Sequence, residues 1–192
     1  IIFAKVPKVL KSAGPREQGK PTIGVFDTEP FKPKFILGVC GFGKWYYSYD
    51  NMTSFVRDIL ARASEVYGPD GFRILYKPKR PLATVSDQRY MDFLTQVKQD
   101  PRVIVAEPLD NLFEVVRKCD YVISVPFTSV SRLGQLMGRP SAFYDSSGQI
   151  VDIPIRPRTP LLLNSSSALK AWFESLPSHR PGFLLENPIK TI

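Results

Sequence analysis

This chain is nearly without histidine and cysteine. Its 192 residues include one histidine, His179, and two cysteines, Cys40 and Cys119. His179 lies in a proline-rich stretch, SLPSHRPG, a poor setting for a Ser-His-Asp triad or a histidine-held metal. The two cysteines are far apart and show no zinc-ligand spacing. A disulfide framework and a metal site are therefore not expected, and a reducing compartment fits. Cys119 falls in an apolar helical pattern, as a buried thiol would. No apolar run approaches the roughly 20 residues that cross a bilayer. Two phosphate-binding signatures are also missing, G-x-G-x-x-G and G-x-x-x-x-G-K-[ST]. GFGK at 41–44 only partly echoes them and reads as a loop. A dinucleotide dehydrogenase and a P-loop NTPase are thus disfavoured. There is no RNP-type aromatic motif and no single basic helix, so nucleic acid is not an expected partner. The chain opens on IIFAKVPKVLKS without a methionine, too short and too broken by Lys and Pro for a signal peptide. The expectation is a processed chain or a fragment of a longer one.

What is present is a core and a positive charge. Hydrophobic residues make up 43% and aromatics 12%, enough to bury a core and to argue against disorder. Lys and Arg number 26 against 18 Asp and Glu, a net charge of +8. That balance points to phosphate-bearing partners or an anionic membrane surface, with plain solubility as the alternative.

Along the chain, residues 1–20 are basic and interrupted by Pro and Gly, and read as a linker or arm. TIGVFD (22–27) reads as a short buried strand. A long loop rich in Gly, Pro and aromatics follows. Asn51 or Thr53 then caps a helix with Phe55, Val56, Ile59, Leu60, Ala63 and Val66 as its apolar stripe. From there the rhythm is regular. Strands are expected at 72–77, 102–107, 121–125 and 141–145, and helices at 87–99, 110–119 and 128–138. Apolar strands alternating with helices indicate a parallel sheet covered on both faces. The expected fold is α/β, a Rossmann-like doubly wound sheet over residues 21–150. Residues 151–192 read as a Pro-rich segment with a last helix, 164–176, packing back through Leu169, Trp172, Phe173 and Leu176.

In such a sheet the ligand binds beyond the carboxyl ends of the strands. Those ends carry Asp27 and Glu29; Lys77, Lys79 and Arg80; Glu107; Phe127, Thr128 and Ser129; Tyr144 and Asp145. PFTS (126–129) opens a helix directly after a strand. Thr128 and Ser129 with the free N–H groups there suit a phosphate, or Thr128 merely caps its helix. KPKR (77–80) is either a solvated turn or a clamp that neutralises a diphosphate, with Arg80 suited to a forked contact. Asp27 and Glu29 are the candidate catalytic carboxylates: a base for an acceptor hydroxyl, or Asp27 as a nucleophile. Alternatively, Asp27 orders the loop that follows. YYSY (46–49) could stack on a base or sugar, or pack as a loop over the sheet.

The stretch CDYVISVPFTSVSRLGQLMGRPSAFYD resembles the donor-binding, carboxyl-terminal half of GT-B glycosyltransferases, through Asp120, Ile123, Ser124, Thr128, Ser129, Gly138, Pro140, Tyr144 and Asp145. More narrowly it is similar to enzymes of bacterial surface polysaccharide assembly that use CMP-linked Kdo or sialic acids. There a K-P-H-P-like element and a Ser/Thr cluster hold the CMP moiety. Lys77 and Pro78 match the first half of that element, and Lys79 stands where its histidine would be. Gln135 stands near the position of a usual helix glutamate, and Glu107 or Asp145 could replace it toward a ribose. The resemblance spans residues 20–147. It implies a nucleotide-sugar donor, with CMP as nucleotide and no further cofactor, and a glycan acceptor. It also implies an acceptor-binding half that lies in a segment before Ile1 or was never present, and a cytoplasmic location with peripheral association at the inner membrane face. The competing class is a non-catalytic Rossmann-like module that docks another protein; it predicts an exposed apolar patch and no nucleotide binding.

Overall fold

A computed structural model describes residues 19–28, 30, 48–79, 86–150 and 160–176. In chain order the elements are β1 (Thr22–Phe26), α1 (Tyr49–Tyr67), β2 (Arg73–Lys77), α2 (Gln88–Val97), β3 (Val103–Val105), α3 (Leu112–Arg117), β4 (Tyr121–Ser124), α4 (Ser129–Leu136), β5 (Ser141–Tyr144), β6 (Leu161–Leu163) and α5 (Ser166–Ser175). The six strands form one parallel sheet in the order β3-β2-β1-β4-β5-β6. This is an α/β Rossmann-like fold. The strand at Leu161–Leu163 extends the sheet beyond the expected five, from within the Pro-rich segment.

The two-residue period of the strands sorts the side chains into two cores. On one face Ile23, Val25, Ile74, Tyr76, Ile123 and Tyr144 meet Phe55 and Ile59 of α1, Tyr90 and Leu94 of α2, and Leu169 and Phe173 of α5. On the other face Phe26, Leu75 and Val122 meet Val115 and Val116 of α3, Cys119, and Val130 and Leu133 of α4. Each such aliphatic or aromatic side chain contributes on the order of 1.5–3 kcal/mol on burial. Cys119 is the expected buried thiol. It packs so closely on β1 that a Cβ at Gly24 would lie 2.5 Å from its Sγ.

Four helices begin in the same way. Ser48, Asp87, Asn111 and Ser165 each accept a hydrogen bond from a backbone N–H of the first turn. The α4 helix breaks the pattern: Thr128 occupies its N-cap position and makes no side-chain cap.

Chain order fixes where a ligand can enter. From β1 the sheet grows through β2 to β3 on one side; from β4 it grows through β5 to β6 on the other. The direction reverses between β1 and β4, which pair from Ile23↔Tyr121 to Phe26↔Ser124. At such a reversal the loops leaving the strand tips diverge and open a crevice. Asp27 and Thr28 stand on one side of it, Val125 to Ser129 on the other.

Candidate functional site

On the β4 side, a ladder of small hydroxyls seats α4 against the sheet. The Thr128 hydroxyl lies 2.8 Å from Ser124 Oγ and 3.0 Å from the Val125 carbonyl. Ser124 Oγ is 2.6 Å from Ser131 Oγ, and Ser131 donates to the Ala142 carbonyl at 2.7 Å. Ser124 and Ser131 are fully buried. One turn further, a Cβ at Gly134 would meet Ser141 Oγ at 2.3 Å and Val122 Cγ2 at 3.0 Å. The S-x-x-G spacing 131–134 is therefore what lets helix and sheet approach. The ladder also turns the Thr128 hydroxyl away from its own helix. The first N–H groups of α4 face the crevice without a side-chain cap, and Ser129 beside them is exposed. A helix start of this kind attracts an anion through its dipole and its unpaired donors.

Phe127 precedes that start. Its φ is +63°, the left-handed region. For a bulky residue such a conformation costs on the order of 1–3 kcal/mol. Its side chain does not bury in exchange: Phe127 is 56% exposed, its ring 6.2 Å from that of Phe143.

The β1 side is the opposite in character. Asp27 is buried, and the hydroxyls of Tyr76 and Tyr90 both donate to its Oδ2. The two hydroxyls also touch each other. The backbone N–H of Lys79 donates to Oδ1 at 3.3 Å. Burial first, then the Asp27 charge and its hydrogen bond, hold the Tyr76 phenol well above the ordinary tyrosine range, so it stays a donor. Three elements, β1, β2 and α2, are thus tied at one carboxylate. Next to it Thr28 is buried, its hydroxyl 3.5 Å from Met52 Sδ.

The remaining expected residues separate into two groups. Lys79 is exposed at the rim and Glu107 is exposed at the end of β3. Lys77, in contrast, is 6% exposed, and its ammonium donates to the carbonyls of Pro108 at 2.7 Å and Glu107 at 3.4 Å. It latches the β3 loop to β2 instead of standing free as a clamp. Beside this latch an open groove of about 500 Å³ is lined by Pro78, Leu94, Lys98, Val105, Glu107 and Leu109.

Two expectations are corrected outright. Tyr144 does not reach the crevice. It is 1% exposed, stacks 5.9 Å from Phe55 and donates its hydroxyl to Asp58 of α1. The two-residue period turns it onto the α1 face. Asp145 is 1% exposed and is consumed by its own turn. It accepts from Ser147 N at 3.0 Å, Ser147 Oγ at 2.6 Å and Ile150 N at 2.8 Å. Glu29 and Arg80 lie outside the described residues, as do GFGK, Tyr46, Tyr47, Cys40, His179 and the arm 1–18. Tyr49, the described tyrosine of YYSY, lies under the Arg89 guanidinium at 4.6 Å, and Arg89 in turn pairs with Asp87.

Sequence reasoning missed Tyr76, Tyr90 and Ser131, and took Ser124 only as part of the resembling stretch. The signal available was small: a tyrosine in an apolar strand, and serines at positions whose period points inward. Among the described residues no three His, Cys, Asp or Glu side chains converge as a metal site, and no helix is long and apolar enough to cross a membrane.

The fold and the crevice define a Rossmann-like domain with an open, uncapped helix start at the strand-order reversal. The chain belongs to the polysaccharide biosynthesis PFTS motif protein family, whose model matches residues 1–173. Pro126 to Ser129 spell that motif. No curated protein matches the chain. Among solved structures it is similar to Anabaena Alr3699/HepE, solved in complex with UDP and glucose, at 14% identity and a TM-score of 0.49. The match covers 82% of this chain and 38% of that one.

Proposed function

We propose that this chain is the donor-binding domain of a nucleotide-sugar-dependent glycosyltransferase in surface polysaccharide or lipopolysaccharide assembly. The observation that carries the reading is the uncapped start of α4, held at the β1/β4 reversal by buried serines in a protein of polysaccharide biosynthesis.

In this reading the amides of α4 and the Ser129 hydroxyl take the phosphate next to the sugar. An acceptor hydroxyl attacks the anomeric carbon, and the bond from that carbon to the phosphate oxygen breaks. The oxygen leaves with the electron pair, and donors already in place stabilise its charge without reorganising. Lys79, exposed at the rim, and Arg80 supply positive charge, and Glu107 a partner for a ribose. The acceptor proton needs a carboxylate. Asp27 has both oxygens engaged by Tyr76, Tyr90 and Lys79, so the role is assigned to Glu29, and Asp27 holds the strand tip. The acceptor is a glycan, and a companion acceptor-binding domain completes the enzyme. The site belongs on the cytoplasmic side of the membrane.

The donor nucleotide is assigned as CMP, with Kdo or a related acid as its sugar. A thermal-shift panel of CMP, UDP, GDP, ADP and NAD tests this, because a ligand of the folded state alone raises Tm by mass action. A rise with CMP supports the full reading. A rise with UDP or GDP keeps the transferase and replaces the nucleotide. A flat response across the panel sinks the donor site and favours the docking module.

A further inference from the structure

Phe127 is unfavourable by two separate measures. Its backbone sits at φ +63°, and 56% of its surface stays in water. A core aromatic offsets strain by burial, and a turn residue avoids strain by being Gly or Asn. Phe127 does neither. The sequence also has no need of an aromatic to make the turn: Thr128, Ser124 and Ser131 hold it through hydroxyls. What the strain achieves is placement. A left-handed residue immediately before the N-cap of α4 directs its side chain out of the sheet at the mouth of the crevice. Phe143, 6% exposed, stands behind it with rings 6.2 Å apart and 48° between planes. The result is an apolar ring, backed on one side and open on the other, one residue from the helix start.

Resting on the donor-site reading above, we propose that the open face of Phe127 is the stacking platform for the donor's nucleobase. A base offers a planar π-face to stack on and needs no hydrogen bond from the platform. The pairing also explains the motif as a unit. Phe127 takes the base, the α4 start takes the phosphate, and Thr128 locks the two at fixed separation through Ser124.

The test compares Phe127→Gly, Phe127→Asn and Phe127→Trp by calorimetric titration with the best nucleotide of the panel and with inorganic pyrophosphate. Glycine and asparagine tolerate the left-handed region, so both variants keep Tm at or above the parent. They lose about tenfold to a hundredfold in nucleotide affinity, the range of one lost base stack. Pyrophosphate affinity stays within about twofold, since it carries no base. Phe127→Trp keeps nucleotide affinity. Unchanged nucleotide binding in the glycine variant overturns the proposal while leaving the donor site standing. Equal losses for nucleotide and pyrophosphate overturn it too, because the ring would then shape the turn and not hold a base. A parent that binds no nucleotide removes the donor site, and the platform falls with it.

Discussion

The tips of β1 and β4 face each other across one crevice and spend their polar groups in opposite ways. At β1 a buried carboxylate collects two phenols and a backbone N–H. At β4 the cap residue turns its hydroxyl inward, the helix start stays open, and an aromatic ring is held strained and exposed. The first arrangement is satisfied without any ligand. The second costs free energy until something binds. The difference separates scaffold from site more sharply than residue type does. Both residues stand among the strand-tip candidates of the sequence; Asp27 is the one whose surroundings leave it satisfied.

The largest blow to the comparison is a change that moves α4 bodily. Gly134→Leu places a side chain where even a Cβ would lie 2.3 Å from Ser141 Oγ and 3.0 Å from Val122 Cγ2. The gain in helix propensity, under about 1 kcal/mol, does not offset this. The expected loss is about 3 kcal/mol or more, with Tm lower by on the order of 10 °C. Nucleotide affinity falls with it, since the helix start is displaced from the crevice. Retained affinity in a folded Gly134→Leu protein would show that the phosphate is not held by α4.

Next in size is the β1 tip itself. Asp27→Ala leaves Tyr76 and Tyr90 hydroxyls buried without their acceptor. Because the two hydroxyls already touch, one donates to the other and a single phenol is left without an acceptor, a loss of about 1–3 kcal/mol. Donor turnover per folded molecule survives, because the carboxylate acts by holding strands together. Tyr90→Phe, which keeps the acid and removes one donor, costs less, about 1 kcal/mol. A chemical role for Asp27 gives the reverse in Asp27→Asn: Tm near the parent and turnover gone. Tm by calorimetry, and sugar transfer with the companion acceptor-binding domain present, distinguish the two.

Much of the scaffold was legible in the sequence because it obeys one period at a time. Val103–Val105, Tyr121–Ser124 and Ser141–Tyr144 are short apolar strands between helices whose stripes repeat at 3.6 residues, so fold class and element order follow. The strand Leu161–Leu163 was not legible, since three leucines at a sheet edge carry no alternation. The site was legible as a set of strand tips and no further. Which tip is satisfied depends on groups far apart in sequence: Tyr90 reaches Asp27 across 63 positions, and Tyr144 reaches Asp58 across 86. Nothing local to Lys77 marks its ammonium as bound to carbonyls 30 and 31 residues on. The left-handed backbone of Phe127 has no sequence signal either, as glycine or asparagine is the usual residue there.

The smallest effect is the most discriminating for the β4 tip. Thr128→Val keeps the shape of the side chain and removes its hydroxyl. If that hydroxyl donated to a bound phosphate, the loss would appear in affinity, about tenfold or more for a hydrogen bond to a charged group. Its position argues otherwise. It lies 2.8 Å from Ser124 Oγ and 3.0 Å from the Val125 carbonyl, and both lead inward. Ser124 keeps its contact with Ser131 in the variant, and the Val125 carbonyl loses the Thr128 donor. The expected result is a loss of about 1 kcal/mol in stability, a drop in Tm of roughly 2–4 °C, and nucleotide affinity within about twofold of the parent. Affinity loss at unchanged Tm would move Thr128 from the scaffold to the ligand's own contacts, and the contrast between the two tips would then begin one residue earlier in the chain.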